Sequence, residues 1–144
     1  MNFLWTNQIE SQTYKDALSI RWNVFVNEQQ VPADLEIDDL EDKTWHLVLY
    51  IGEHPAGTAR ILEEAPGIYK VQRVAVLSLF RGQGLGRAVM EETERKIRHL
   101  GGVRMLLDAQ LHAIPFYETL GFTAEGGEFM DAGIPHRKMQ KEVS

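Results

Sequence analysis

The sequence predicts an α/β (α+β) fold, a single layer of mixed sheet flanked by helices, carried by one domain over residues 1–144. Three observations lead there. The length is that of one ordinary domain. Hydrophobic residues make up 44% of the chain and charged residues 25%, the balance of a globular protein with a proper core rather than a disordered or low-complexity one. Read in order, the elements run β-α-(loop)-β-β-β-α-β-α-β-β, which joins an antiparallel meander to a crossover.

Residues 3–6 read as a short strand, and residues 11–27 carry Tyr14, Leu18, Trp22 and Phe25 at helical spacings of three and four. From Val31 to Asp42, six carboxylates surround Leu35, Ile37 and Leu40, and Pro32 keeps the start out of a helix, so this segment reads as an irregular acidic loop. Strands are expected at 44–51, 56–62 and 69–77, separated by turns at Gly52–Pro55 and Pro66–Gly67. A helix over 84–100 buries Leu85, Ala88, Val89, Ile97 and Leu100 and stops at Gly101-Gly102. Residues 103–108 form an apolar run suited to a buried strand, 113–120 a short amphipathic helix closed by Gly121, and two further strands lie near 122–126 and 136–141.

The net charge of -6 is unevenly spread: residues 1–42 carry -7 and residues 43–144 carry +1. An acidic surface repels nucleic acid, so no DNA or RNA partner is expected. Cysteine is absent, which excludes disulfides, thiolate metal sites and any acyl-thiol enzyme intermediate. The first ten residues lack a leader pattern, and no run approaches the roughly 20 apolar residues of a membrane span, so a cytoplasmic protein without membrane contact is expected. The acids from Asp34 onward do not form a calcium loop, since its sixth position is Asp39 rather than Gly and its twelfth Trp45 rather than Glu. They read either as a solvated loop or as a funnel for a cationic substrate. His46, His54, His99 and His136 are scattered without metal-ligand spacing, and no metal is expected.

The most informative stretch runs from a strand through Arg81-Gly82-Gln83-Gly84-Leu85-Gly86 into the helix. Glycines at 82, 84 and 86 admit a close backbone approach, the first helical N–H groups lack internal partners, and the helix dipole favours an anion there, so a pyrophosphate would fit. A plain helix-initiating turn is the alternative. The stretch lacks the GxxxxGK of nucleoside triphosphate loops, and Arg87 stands where GxGxxG would need glycine. Positions 73–104 hold a local charge of +4, but Glu91/Arg95, Glu92/Lys96 and Glu94/Arg98 have i,i+4 spacing and read as a solvated face. Arg81 and Arg87 then remain as anion partners.

These residues resemble the GNAT superfamily of acyl-CoA N-acyltransferases. Arg81 to Gly86 fits its Q/R-x-x-G-x-G/A signature, and AQLHAIPFYETLGF, residues 109–122, is similar to its second signature, N-x-x-A-x-x-F-Y-x-x-x-G-F. The stretch RWNVFVNEQQVPADLEIDDLEDKTWHLV, with DAGIPHRKM near the end, further resembles the small bacterial ElaA-like and YjcF-like members. Gln110 replaces the usual Asn, and Gln72 stands where some relatives carry a catalytic Glu.

The resemblance implies a mainly antiparallel sheet of six to seven strands flanked by about four helices, and direct transfer from acetyl-CoA to a primary amine of a small molecule or lysine-like group. It implies coenzyme contacts from Val74, Ala75, Val76, Arg81, Gly82, Gln83, Gly84, Leu85, Gly86, Arg87, Gln110 and Phe116, with the Val76 N–H as oxyanion donor. A non-catalytic acyl-CoA-binding module is the alternative. Tyr117 is the expected general acid by resemblance, although helix periodicity alone also accounts for a Phe-Tyr pair. For the general base, Glu28 ranks first and His112 second, though a His in a loop before a helix equally reads as capping or solvated. Arg73 would orient an anionic group or pair with a carboxylate. Exposed edge strands would permit a homodimer.

Overall fold

In chain order, β1 (Asn2–Thr6) is followed by α1 (Gln12–Arg21), α2 (Ala33–Glu36), the meander β2 (Trp45–Ile51), β3 (His54–Ala65) and β4 (Ile68–Val76), then α3 (Leu85–His99), β5 (Arg104–Gln110), α4 (Ile114–Thr119), β6 (Thr123–Asp131) and β7 (Ile134–Glu142). These elements come from a computed structural model, which describes residues 1–143. The strands form one sheet in the order β1-β2-β3-β4-β5-β7-β6. Every pairing is antiparallel except β4 with β5, the parallel pair that α3 connects. This is the mixed α+β sheet that the element order implied. Among the described residues no helix is long and apolar enough to cross a membrane.

Both faces of the sheet are covered, which is why Leu47, Val48 and Leu49 on β2 are all buried. The larger core joins Leu47, Leu49, Ile61 and Val71 to Val89 and Ile97 of α3 and Tyr117 of α4. A smaller core on the opposite face joins Ala17, Ile20 and Val24 to Val48 and Ala75. Ser11 caps α1, its hydroxyl accepting from the Tyr14 N–H at 3.2 Å. Helix α3 ends as its Gly101-Gly102 pair requires: Gly101 has φ +85, and the Gly102 N–H returns to the Ile97 carbonyl at 2.8 Å.

The first helix departs from its expected stripe. It is α-helical only to Arg21 and continues as a π-helix over Trp22–Glu28, and its buried face is Tyr14, Ala17, Ile20, Arg21 and Val24, with Trp22 40% exposed. Ala17 and Val24 pack against Val48 and Ala75 of the sheet, and paired carboxylates draw Arg21 inward. Of the three expected i,i+4 pairs on α3, Glu94–Arg98 forms at 2.9 Å. Glu92 instead accepts from the Trp5 indole at 2.7 Å, and Lys96 lies 4.2 Å from the centre of the Trp45 ring.

The acidic segment is neither a solvated loop nor an open funnel. Glu36 and Glu41 are buried, and each meets Arg21, itself 1% exposed, at 2.7 and 2.8 Å. Arg60, equally buried, donates to Asp38 and Glu41 at 3.0 Å and to Gln72 Oε1 at 2.6 Å. The carboxylates therefore neutralise arginines from α1, β3 and β4, and only Asp34, Asp39 and Asp42 remain exposed or nearly so. A cationic-substrate preference loses its basis in this loop. Burial pushes the Glu41 carboxyl upward, but the Arg21 hydrogen bonds and charge outweigh it and hold Glu41 below the usual carboxylate range; Arg60 does the same for Asp38.

Removing one partner strands the others as unpaired buried charges. Glu41→Ala should cost about 3–5 kcal/mol in urea unfolding. The folded-state pKa values of Glu41 and Asp38 lie below the unfolded values of about 4. The stability they supply is therefore complete above that range and lost as pH falls through the folded values. Acid unfolding of Glu41→Gln, followed by circular dichroism, should show a shallower dependence on pH below about 4 than the parent.

Candidate active site

Strands β4 and β5 are hydrogen-bonded neighbours only from Ile68/Arg104 to Val71/Leu107 and then part. The cause lies in β4. Thr58 and Arg60 of β3 face Ala75 and Gln72, so β4 carries one extra residue, and Arg73 takes a left-handed conformation, φ +57. A bulge of this kind bends its strand and increases its twist. For a residue with a Cβ, the left-handed region costs about 1–3 kcal/mol. The Arg73 guanidinium meets Glu36 and Asp38 at 3.3 and 3.4 Å, which helps to offset that cost.

The parting opens a cleft of about 380 Å³. Its walls are Gln72, Arg73 and Val74 on one side and Asp108, Ala109 and Gln110 on the other. Phe25, Gln29 and Leu35 close it from the α1–α2 side, with Tyr117 and His112 from the chain after β5. Val76 lies at the open end of the gap. The Leu77 N–H donates to the Ala56 carbonyl at 2.9 Å. By the alternation of an antiparallel ladder, Val76, opposite Gly57, then turns its own N–H away from β3 and toward the gap.

Next to the gap, the turn before α3 is shaped by Gly82, φ +78, and Gly84, φ +77. A Cβ at either position would meet nothing within 4 Å, so their need for glycine is conformational and the space beside them is open. Gly84 begins α3 without a side-chain cap, so the first N–H groups of that 15-residue helix are left for a ligand. Gln83 is exposed, and the Leu85 side chain is anchored in the core. A Cβ on Gly86 would lie 3.4 Å from Phe116 Cζ, so the ring of α4 rests against the first turn of α3. Arg87 is exposed and reaches Thr119 at 3.4 Å, beside a second depression of about 410 Å³ between α3 and α4.

The expected base and the expected anion partner are joined to each other. Arg81 donates to Glu28 at 2.8 and 2.9 Å, and its Nε donates to the Val76 carbonyl at 3.0 Å. Glu28 is exposed and does not line the cleft, because the π-helical turn carries it to the glycine turn instead. Gln110 is tied across the cleft, donating to Gln29 Oε1 at 2.9 Å. Gln72 accepts twice from Arg60 and so belongs to the buried network. Ala75 packs in the smaller core.

Tyr117 is 8% exposed, lies edge-on to Phe116 and Phe122, and still borders the cleft. Burial alone pushes its hydroxyl up to about 12. His112 borders the cleft but is exposed. Nothing in the local pattern singles out His136, yet β7 sets it opposite Gln110, where it is 8% exposed and lines the cleft. Only the strand register, which no local pattern announces, could have found it.

Comparison with known proteins agrees with this architecture. Residues 9–143 match the family model described as an acetyltransferase (GNAT) domain. The chain is 42% identical over 129 residues to the uncharacterized N-acetyltransferase YjcF of Bacillus subtilis, covering 89% of this chain and 91% of the relative. Among solved structures, an acyl-CoA N-acyltransferase from Pseudomonas aeruginosa superposes with a TM-score of 0.86 at 28% identity, over 97% of this chain and 98% of the other. ElaA of Escherichia coli gives 0.85 at 26% identity, over 98% and 100%. With a family model spanning nearly its whole length and a relative 42% identical over 89% of it, this chain belongs to the GNAT family of acetyltransferases.

Proposed function

We propose that the protein transfers an acetyl group from acetyl-CoA directly to a primary amine of a small molecule or lysine-like group. The observation that carries this reading is the pairing of an uncapped glycine turn at the start of α3 with the cleft that opens where β4 parts from β5. The Gly82–Gly86 amides and the α3 dipole receive the coenzyme pyrophosphate, with Gln83 and Leu85 contributing backbone. Arg87 adds positive charge beside the helix start, and Phe116 walls the turn. The pantetheine arm lies in the gap along Val74 to Val76 and beside Gln110.

The chemistry needs a polarised thioester, a neutral amine and a proton for the departing thiolate. The Val76 N–H, fixed beside a carbonyl that Arg81 holds, donates to the developing oxyanion. With its pKa pushed up to about 12, Tyr117 stays protonated through the neutral range and can give its proton to the thiolate. No cysteine is available for a covalent intermediate, so the amine attacks the thioester itself.

The same absence makes the assay clean, because a thiol-reactive chromophore reads released coenzyme alone. Acetyl-CoA mixed with a panel of primary amines should release thiol and yield an N-acetyl product by mass spectrometry. Coenzyme binding with no transfer to any amine would instead identify a binding module. Two substitutions test the assignments. Gly84→Val forces a branched side chain to φ +77 beside the anion site and should weaken coenzyme binding at least about tenfold with the circular dichroism spectrum retained. Unchanged affinity would remove the turn from the site. Tyr117→Phe should lower kcat by about 10²-fold with little change in the KM for acetyl-CoA. Full turnover would discard its role as the acid.

A further inference from the structure

The transfer reading leaves one requirement without a residue. An alkylammonium must lose a proton before it can attack, and the carboxylates at the cleft are engaged, except Asp131, which is exposed at the end of β6. Glu28 is paired with Arg81 outside the cleft, Glu36 with Arg21 and Arg73, and Asp108 with Lys70 at 2.9 Å. His136 is not engaged in this way. Its Nδ1 lies 2.6 Å from the Ile134 carbonyl oxygen, which can only accept, so Nδ1 carries the proton. In the neutral ring Nε2 then holds the lone pair. Phe129 stacks on the ring at 5.9 Å and 25°, fixing its plane. Nε2 has no hydrogen-bond partner among the described residues, and it is not one of the polar atoms sealed from solvent.

The contrast with His46 is informative. That ring is also buried, but its Nε2 donates to the Glu41 carbonyl at 2.9 Å, and its unpartnered Nδ1 is enclosed where no substrate can reach. Of the two buried histidines, only His136 lines the cleft, and its Nε2 is not sealed from solvent.

We propose that His136 is the catalytic base, its Nε2 taking the proton of the acceptor ammonium at the β7 wall of the cleft; this rests on the acetyl-transfer reading above. The proton moves from nitrogen to Nε2, and the amine lone pair forms the C–N bond at the thioester carbonyl. The C–S bond then breaks, and the thiolate takes a proton from Tyr117. The second proton leaving nitrogen restores the phenol, and imidazolium returns the first to solvent, so one proton is released per acetyl group transferred. Charged and titratable groups around the ring are Asp108 on β5, His112 in the turn after it, Asp131 at the end of β6 and Lys138 on β7.

His136→Asn keeps an N–H donor in the place of Nδ1 while deleting Nε2, which separates the structural bond to Ile134 from the chemistry. With an acceptor returned by the amine panel, this variant should lose about 10²-fold or more in kcat. Its coenzyme affinity and melting temperature should stay at parent values, and the acidic limb of its pH profile should disappear. The loss should be smaller with a fluorinated analogue of that acceptor, whose nitrogen is already neutral near pH 7. A variant with parental kcat and pH profile would overturn the proposal. Independently of any acceptor, 15N NMR of the full chain with coenzyme A bound should show the Nδ1-protonated tautomer for His136. An Nε2-protonated ring would overturn the proposal on its own. An empty amine panel in protein that binds coenzyme A counts against the transfer reading, while the tautomer measured on that sample still reads His136 by itself.

Discussion

The carboxylate of Glu41 accepts five hydrogen bonds, from the Tyr14 hydroxyl, two Arg21 nitrogens, the Asp38 N–H and Arg60, and the rest of the structure is arranged around it. Burying a carboxylate is costly unless its lone pairs are met. Here they are met from α1, from the segment after α2 and from β3, so the three cannot move independently. Arg60 extends the connection to Gln72, the residue before the left-handed Arg73, and Arg73 returns to Glu36 and Asp38. The ionic cluster thus fixes the wall of the cleft on one side and the strained turn of β4 on the other as one unit.

From that unit follows the division of labour across the sheet. The bulge releases β4 from β5 to open the cleft, and the chain then runs from β4 through the glycine turn to the uncapped start of α3. The acceptor side is bounded by polar residues on the opposite face, among them Gln110 and His136, set side by side by the β5–β7 register. Arg81 links the two ends, holding the Val76 carbonyl with one nitrogen and Glu28 with the others. The end of β4 and the end of the π-helix therefore share one arginine.

Much of the fold was legible because the signals were local. Glycine punctuation at 52, 67, 101 and 121, the apolar periodicity of α3 and the alternation through the meander each needed only neighbouring residues. Strand ends were less so: β3 and β6 run well beyond their apolar cores because pairing with a neighbour, not hydrophobicity, sets where a strand stops. The stripe on the first helix was misplaced for a related reason. Trp22 looks buried by hydrophobicity and Arg21 exposed by charge, but carboxylates more than a dozen residues away reverse both.

The sequence by itself determined the family and the glycine turn before α3, since glycine spacing acts through backbone conformation, which is a property of adjacent residues. It did not decide what the charges do. Six carboxylates within residues 34–42 read as surface because charge is cheapest in water, and only the folded chain brings Arg21, Arg60 and Arg73 close enough to pair with Glu36, Asp38 and Glu41. Tertiary structure likewise withdrew Glu28 from the cleft and delivered His136 to it. Both moves depend on contacts between residues far apart in the chain, set by strand register and helix packing, and no short-range pattern encodes them.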